Sequence, residues 1–226
     1  MKLSLQIAKT LRSLIAPLFA SLTFAGVAQA DTPEQALGSL LESFVPWYED
    51  LKEDPHARKA RLRTIARAQL YAAQEATCTG HAKGSKCKRK FGGSAHQLIA
   101  LLLTAGWWET RFSRRVHAGE CRKDECDGGR ARSVYQVQLN GVVPRELWEN
   151  AEGLDWDSTL AATRAATFSF SAAWRACRKR HGVRGVWGAY GRGFCGGQYQ
   201  VLQRTRWYQR QLQNLERLFP AGAAAR

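Results

Sequence analysis

A mainly α-helical fold is predicted on three observations. Ala- and Leu-rich segments begin at recognisable helix caps, strand-like alternation is missing apart from a short extended piece around Ser133–Leu139, and no internal repeat is present. The 226 residues suit one domain, or one domain with an appendage, and suffice for a buried core. A hydrophobic fraction of 45% excludes wholesale disorder.

The first segment reads as a leader rather than a fold element. Lys2, Lys9 and Arg12 precede an apolar run from Leu14 to Val27, and Ala28-Gln29-Ala30 supplies a small-x-small cleavage site. This predicts a signal peptide over residues 1–30, a mature start at Asp31 and an exported product, periplasmic or secreted. The run is short for a membrane span and is broken by Pro17, Ser21 and Thr23. No later run is long enough, so no transmembrane segment is expected after leader removal.

Helices follow in order. Thr32 is an N-cap with Pro33 at the first helical position and Gln35 completing a capping box. Asp54-Pro55 repeats the device before a helix from His56 to about Thr77. The Gly- and Lys-rich stretch Gly80–Gly93 reads as a loop. Ser94 caps an apolar helix from Ala95 to about Arg111, and Asp157 or Ser158 caps another that should stop at Gly182. A last helix runs from about Gln198 to Leu218 with Val201, Leu202, Trp207, Leu212, Leu215 and Leu218 roughly on one side. The predicted organisation is an N-terminal helical region and basic loop over 31–93, a domain over 94–219 and a tail over 220–226.

In an exported chain an even number of cysteines reads first as disulfides. Spacing groups the six into Cys78 with Cys87, Cys121 with Cys126, and Cys177 with Cys195. The rival is a zinc site on Cys78, His81 and Cys87, whose spacing fits no standard finger. No metal and no cofactor are expected.

Thirty-four Lys and Arg against 19 Asp and Glu give a formal charge of +15, and loss of the leader's three cations leaves +12. Such a charge points to an anionic partner: nucleic acid, an anionic membrane surface or an acidic wall polymer. The cationic stretch Lys83–Lys90, with Arg89, could bind nucleic acid, but such loops are more often solvated or attracted to polyanions without specificity.

Glu109 is the residue that points to chemistry. Leu98, Leu102, Ala105 and Gly106 precede it at helical spacing, and Trp107 and Trp108 flank it. A carboxyl group at the end of an apolar face has its charged form disfavoured and its pKa raised, which suits a general acid. The plain alternative is a surface Glu at a frayed helix end, or one neutralised by Arg111, Arg114 or Arg115. His96 and His117 flank the region with surface or structural roles, and Trp174 is expected in the core.

Glu109-Thr110-Arg111-Phe112 is similar to the Glu-Ser-x-Phe motif of soluble lytic transglycosylases and goose-type lysozymes. Downstream, Gly129–Val137 resembles their Gly-x-x-Gly-Leu-Met-Gln segment, with Gln136 on the motif Gln, and Ala189-Tyr190-Gly191-Arg192-Gly193 resembles their Ala-Tyr-Asn-x-Gly turn. The three occur in the family order over about Ser94–Leu218, whereas residues 31–93 show no such match. Thr110 stands for the usual Ser, Ser133 for a Gly and Gly191 for the motif Asn, and the interval from Glu109 to Gln136 is longer and contains Cys121–Cys126.

The resemblance implies a lysozyme-like helical domain with an N-terminal helical extension. It implies cleavage of peptidoglycan glycan strands between N-acetylmuramic acid and N-acetylglucosamine, with Glu109 as general acid and then base. Gln136 would contact the sugar at the scissile bond and Tyr190 would hydrogen-bond near Glu109 and tune it, with Ser133, Tyr135 and Trp187 completing the substrate-binding set, Trp187 as a cleft wall. The transglycosylase route needs one carboxylate and yields a 1,6-anhydro end, unlike two-carboxylate glycosidases. A second carboxylate from Glu120, Asp124, Glu125 or Asp127 would make a hydrolase, although a solvated, disulfide-pinned loop is the plainer reading of that cluster and a calcium site fits it poorly. A catalytically inactive wall-binding module is a further reading, supported by the Gly191 and Ser133 departures. A basic nucleic-acid binder has only charge behind it, and no recognised nucleic-acid motif.

Overall fold

The computed structural model describes residues 32–47, 53–80, 86–121, 126–196 and 199–220. The leader over 1–30, Asp31, His81, Lys83, Asp124, Glu125 and all of the tail except Pro220 lie outside these residues. The caps explain where the helices begin. Helix α1 (Pro33–Phe44) carries the Thr32–Gln35 capping box, in which Thr32 Oγ1 accepts from the Gln35 amide and Gln35 Oε1 from the Thr32 amide. Helix α2 (Pro55–Thr77) starts where Asp54 Oδ1 accepts from the His56 and Ala57 amides. Helix α3 (Ala95–Thr110) carries the same box on Ser94 and Gln97. Each cap satisfies amides that an isolated helix leaves without partners.

Short elements follow: α4 (Arg114–His117), the distorted turn α5 (Cys126–Gly129), strands β1 (Ala131–Arg132) and β2 (Val137–Gln138), and α6 (Arg145–Glu149). The strands pair antiparallel with Ala131 opposite Gln138 and Arg132 opposite Val137. The expected extended piece at Ser133–Leu139 is therefore a tight hairpin, whose tip holds Ser133 and Gln136 at φ 64 and 50.

Helix α7 (Trp156–Arg192) starts earlier than expected and consists of two helical stretches joined across a kink. Its cap is Asp155, whose Oδ1 accepts from the Ser158 amide at 3.0 Å, rather than Asp157 or Ser158. Gly182, at φ 62 and ψ −161, is the non-helical residue at that kink, so the first stretch stops where the sequence places its end. Glycine tolerates that conformation, and the chain resumes helical geometry until Gly193 caps it in the left-handed region. Helix α8 (Tyr199–Leu218) closes the fold.

Helix α3 is the centre. Every residue from Leu98 to Gly106 is buried, so the expected apolar face is a helix enclosed on all sides. It packs on α2, α7 and α8, while α1 packs on α2. The core joins Leu37 and Leu41 of α1, Leu62 and Ile65 of α2, Leu98 to Leu103, Ala165, Ala166 and Phe170 of α7, and Leu215 of α8. Burying each Leu contributes about 1.5–3 kcal/mol. This core crosses the boundary drawn at residues 93/94, and the chain from Thr32 onward packs as one unit.

Two devices hold the C-terminal end of α3. Arg61, buried on α2, pairs with buried Glu53 at 2.8 Å and donates to the Phe112 carbonyl at 2.7 Å. On the other side, Trp107 stacks on Trp207 with centroids 5.0 Å apart, and Phe44 meets both edge-on. Disulfides join Cys78 to Cys87, Cys121 to Cys126 and Cys177 to Cys195, the pairing expected from spacing. Two of the three would-be zinc ligands are thus committed to a disulfide.

Candidate active site

Helix α3 ends by folding sharply back. Arg111 and Phe112 are both left-handed, at φ 52 and 57, and the Phe112 amide donates to the Gly106 carbonyl at 3.1 Å. A Cβ at position 106 would collide with the Phe112 ring, so only glycine lets the chain turn so closely. The turn leaves Glu109 on the last turn of α3, its side chain 21% exposed.

Glu109 Oε1 accepts a hydrogen bond from Arg204 Nη1 of α8 at 2.5 Å. Burial raises the Glu109 pKa above the ordinary carboxylate value; the Arg204 charge and hydrogen bond pull it down in part, and the negative charge of Asp127 adds to the rise. The net direction is upward. Arg204, far along the chain, is thus a hydrogen-bonded partner of Glu109.

Two further hydrogen bonds draw the motif segments together. Thr110 Oγ1 donates to the Val134 carbonyl at 2.9 Å, tying the residue after Glu109 to the hairpin tip. Tyr190 Oη donates to the Tyr135 carbonyl at 2.5 Å, tying α7 to the same tip. The Tyr190 ring stacks on Phe170 at 4.2 Å. Its phenol pKa is raised well above the usual value, first by burial and then by the nearby Glu109 charge. Ala189–Arg192 is helical rather than a turn, with Gly193 as its cap.

The other expected substrate contacts fall in different places. Gln136 is half-buried, its amide donating to the Ser133 carbonyl at 3.0 Å and to Cys126 Sγ at 3.3 Å. Ser133 is fully buried, its Oγ accepting from the Tyr135 amide. Tyr135 is 1% exposed, its hydroxyl held between Gln69 Nε2 at 3.1 Å and Thr163 Oγ1 at 3.4 Å. Ser133 and Tyr135 thus brace the hairpin from inside, where their side chains are enclosed and hydrogen-bonded. Trp187 is also buried, edge-on to Phe170, and lines a cavity.

That cavity, about 370 Å³, lies beside the Glu109 partner and is lined by Trp187, Gly191, Arg192, Phe194, Gln200 and Arg204 among others. Gly191 leaves open space where the motif Asn would project. Phe194 is exposed at the rim. Sequence reasoning passed over Arg204 and Phe194: neither lies in a motif, and only the return of α8 brings Arg204 to Glu109.

In the acidic cluster, Glu120 pairs with Arg114 at 3.6 Å, whereas exposed Asp127 accepts from Gln138 Nε2 and is felt electrostatically at Glu109. His117 and Trp174 are buried, His117 bonding to Thr159 at 2.9 Å and Trp174 packing on Phe91 at 4.7 Å. Among the described residues no cluster of His, Cys, Asp or Glu could hold a metal ion, and no helix is long and apolar enough to cross a membrane.

The arrangement can hold a protonated carboxyl group beside a cation and a cavity, and can exchange that proton with a bound molecule. No family model, no curated protein and no solved structure matches the chain.

Proposed function

We propose that the protein is an exported peptidoglycan-cleaving enzyme that breaks the bond between N-acetylmuramic acid and N-acetylglucosamine, with Glu109 as general acid and base. The observation that carries this reading is Glu109 itself: a largely buried carboxyl with a raised pKa, bonded to Arg204. Beside it, two hydrogen bonds gather the segments that resemble lytic transglycosylases. A carboxyl that keeps its proton toward neutrality can donate it to the glycosidic oxygen as the C1–O bond breaks. Arg204 then stabilises the carboxylate left behind.

In the transglycosylase route the N-acetyl carbonyl oxygen bonds to C1 as the leaving sugar departs. The Glu109 carboxylate next takes the proton of the 6-hydroxyl, whose oxygen attacks C1 and displaces the N-acetyl oxygen. A 1,6-anhydro ring forms and Glu109 is protonated again, with no water consumed. Three disulfides and a strongly basic chain are compatible with export to an anionic wall.

Asp127 supports a second reading. Its charge acts on Glu109, and a water held between the two would be activated for lysozyme-type hydrolysis. Mass spectrometry of fragments released from purified peptidoglycan separates the two. Anhydro ends mark the transglycosylase, reducing ends the hydrolase, and binding without release an inactive wall-binding module.

A further inference from the structure

A second cavity, of about 430 Å³, lies between the C-terminal half of α2 and the middle of α7. Its small-residue lining comes from Ala72, Ala76, Thr167 and Ser171, and its charged lining from Lys88, Arg89, Lys90, Arg164 and Arg175, with Glu75 the one acidic member. The basic segment is pinned there. The Cys78–Cys87 disulfide ties it to the end of α2, the Lys90 and Phe91 amides both donate to the Ala76 carbonyl, and Arg175 donates to the Lys90 carbonyl at 3.1 Å. Glu75 is occupied by a two-point pair with Arg164 at 2.8 and 2.9 Å. Lys90 Nζ sits over the Phe168 ring at 5.5 Å, and Lys88 has no acidic partner among the described residues.

Ser171 adds an independent sign of a ligand. Along one stripe of α7, Thr159, Thr163 and Thr167 each donate a hydroxyl hydrogen bond to the carbonyl four residues earlier. Ser171 is next on that stripe and breaks the series: it is 3% exposed, and its Oγ has no partner. Buried hydroxyl groups are normally bonded. A free one on a residue that lines a cationic cavity is a donor awaiting an acceptor.

We propose that this cavity is a binding site for an anionic sugar unit, its phosphate or carboxylate held by Lys88, Lys90 and Arg175 and by the Ser171 hydroxyl. The cavity is sized for a small organic ligand rather than a bare ion. The site is separate from Glu109 and its operation does not require cleavage. On a polymer it would fix the chain at a second point, turning diffuse charge attraction into local attachment.

Calorimetric titration of the purified full protein, free of substrate, tests this with glucose 6-phosphate, glucuronic acid, inorganic phosphate and glucose. Glucose 6-phosphate or glucuronic acid should bind with one-to-one stoichiometry, identifying phosphate or carboxylate as the preferred group, and glucose should not bind. Ser171→Ala should weaken the preferred ligand about tenfold, the loss of one charge-assisted hydrogen bond. Lys88→Ala with Lys90→Ala should weaken it further, and Glu109→Gln should leave it unchanged, which separates this site from the proposed cleavage. No binding by any anionic probe would overturn the proposal. So would binding untouched by Ser171→Ala and the paired lysine substitutions, or inorganic phosphate binding as tightly as the sugar ligands.

Discussion

Arg204 Nη1 lies 2.5 Å from Glu109 Oε1, across 95 residues of sequence. The pair sets the protonation of the carboxyl on which the proposed chemistry depends. Burial holds the Glu109 pKa up, and Arg204 keeps that rise in check.

Arg204→Gln removes the positive charge while retaining a hydrogen-bonding side chain. Activity that starts from protonated Glu109 declines as pH rises through the pKa of that group. Without the cation this pKa moves higher, so the alkaline limb of the pH–rate profile should shift to higher pH. Peptidoglycan release measured across pH for both proteins checks this; a limb that stays in place or moves lower contradicts the assigned coupling.

His117 should make the fold acid-sensitive. Burial, aided by the Arg61 charge, lowers its pKa to about 3 from 6.5. The folded ring therefore remains neutral where the unfolded chain takes up a proton. Stability should fall from pH 6.5 toward pH 3, by about 1.4 kcal/mol per pH unit for this group. His117→Gln can keep a bond to Thr159 and should show a shallower decline in denaturant midpoint over that window. Identical slopes would remove His117 from the account.

Gly106→Ala sets a methyl group against the Phe112 ring. Overpacking of this kind costs about 1–3 kcal/mol, and the displaced turn carries Glu109. Thermal unfolding should show the loss, with activity falling more than at another buried Gly→Ala site such as Gly38. An unchanged melting temperature would mean the turn yields without strain.

Much of the helical framework was legible because its signals are local. The Thr32–Gln35 box, the Ser94 cap and the Asp54-Pro55 start each lie within four residues, and each appears as read. Gly182 ends the first stretch of α7 as read, whereas the second helical stretch that follows it across the kink starts without a cap signal of the kind that marks α1, α2 and α3. Tyr135 is read from its neighbours in sequence, but its burial depends on Gln69 of α2 and Thr163 of α7 closing over its hydroxyl, which no short window records. Trp187 is buried against Phe170, several turns earlier in the same helix. Glu109 stood out through its apolar helix; Arg204 did not, since a surface-like Arg on an amphipathic helix carries no mark of its distant partner.

The Cys177–Cys195 disulfide fastens α7 to the loop that carries Phe194 beside the cavity. Replacing both cysteines with alanine should lower stability by about 3 kcal/mol, given the loop it closes. Denaturant unfolding reads that loss directly. A change below about 1 kcal/mol would mean the unfolded chain gains little freedom when the bridge is removed.

The most direct test of the central claim compares the wild type with Glu109→Gln on purified peptidoglycan, following soluble fragments released over time. The substitution keeps size and a hydrogen-bond acceptor for Arg204 but cannot supply the proton. The account predicts that the wild type releases fragments and that the folded variant releases almost none while still sedimenting with the polymer. Equal release by the two proteins would contradict it.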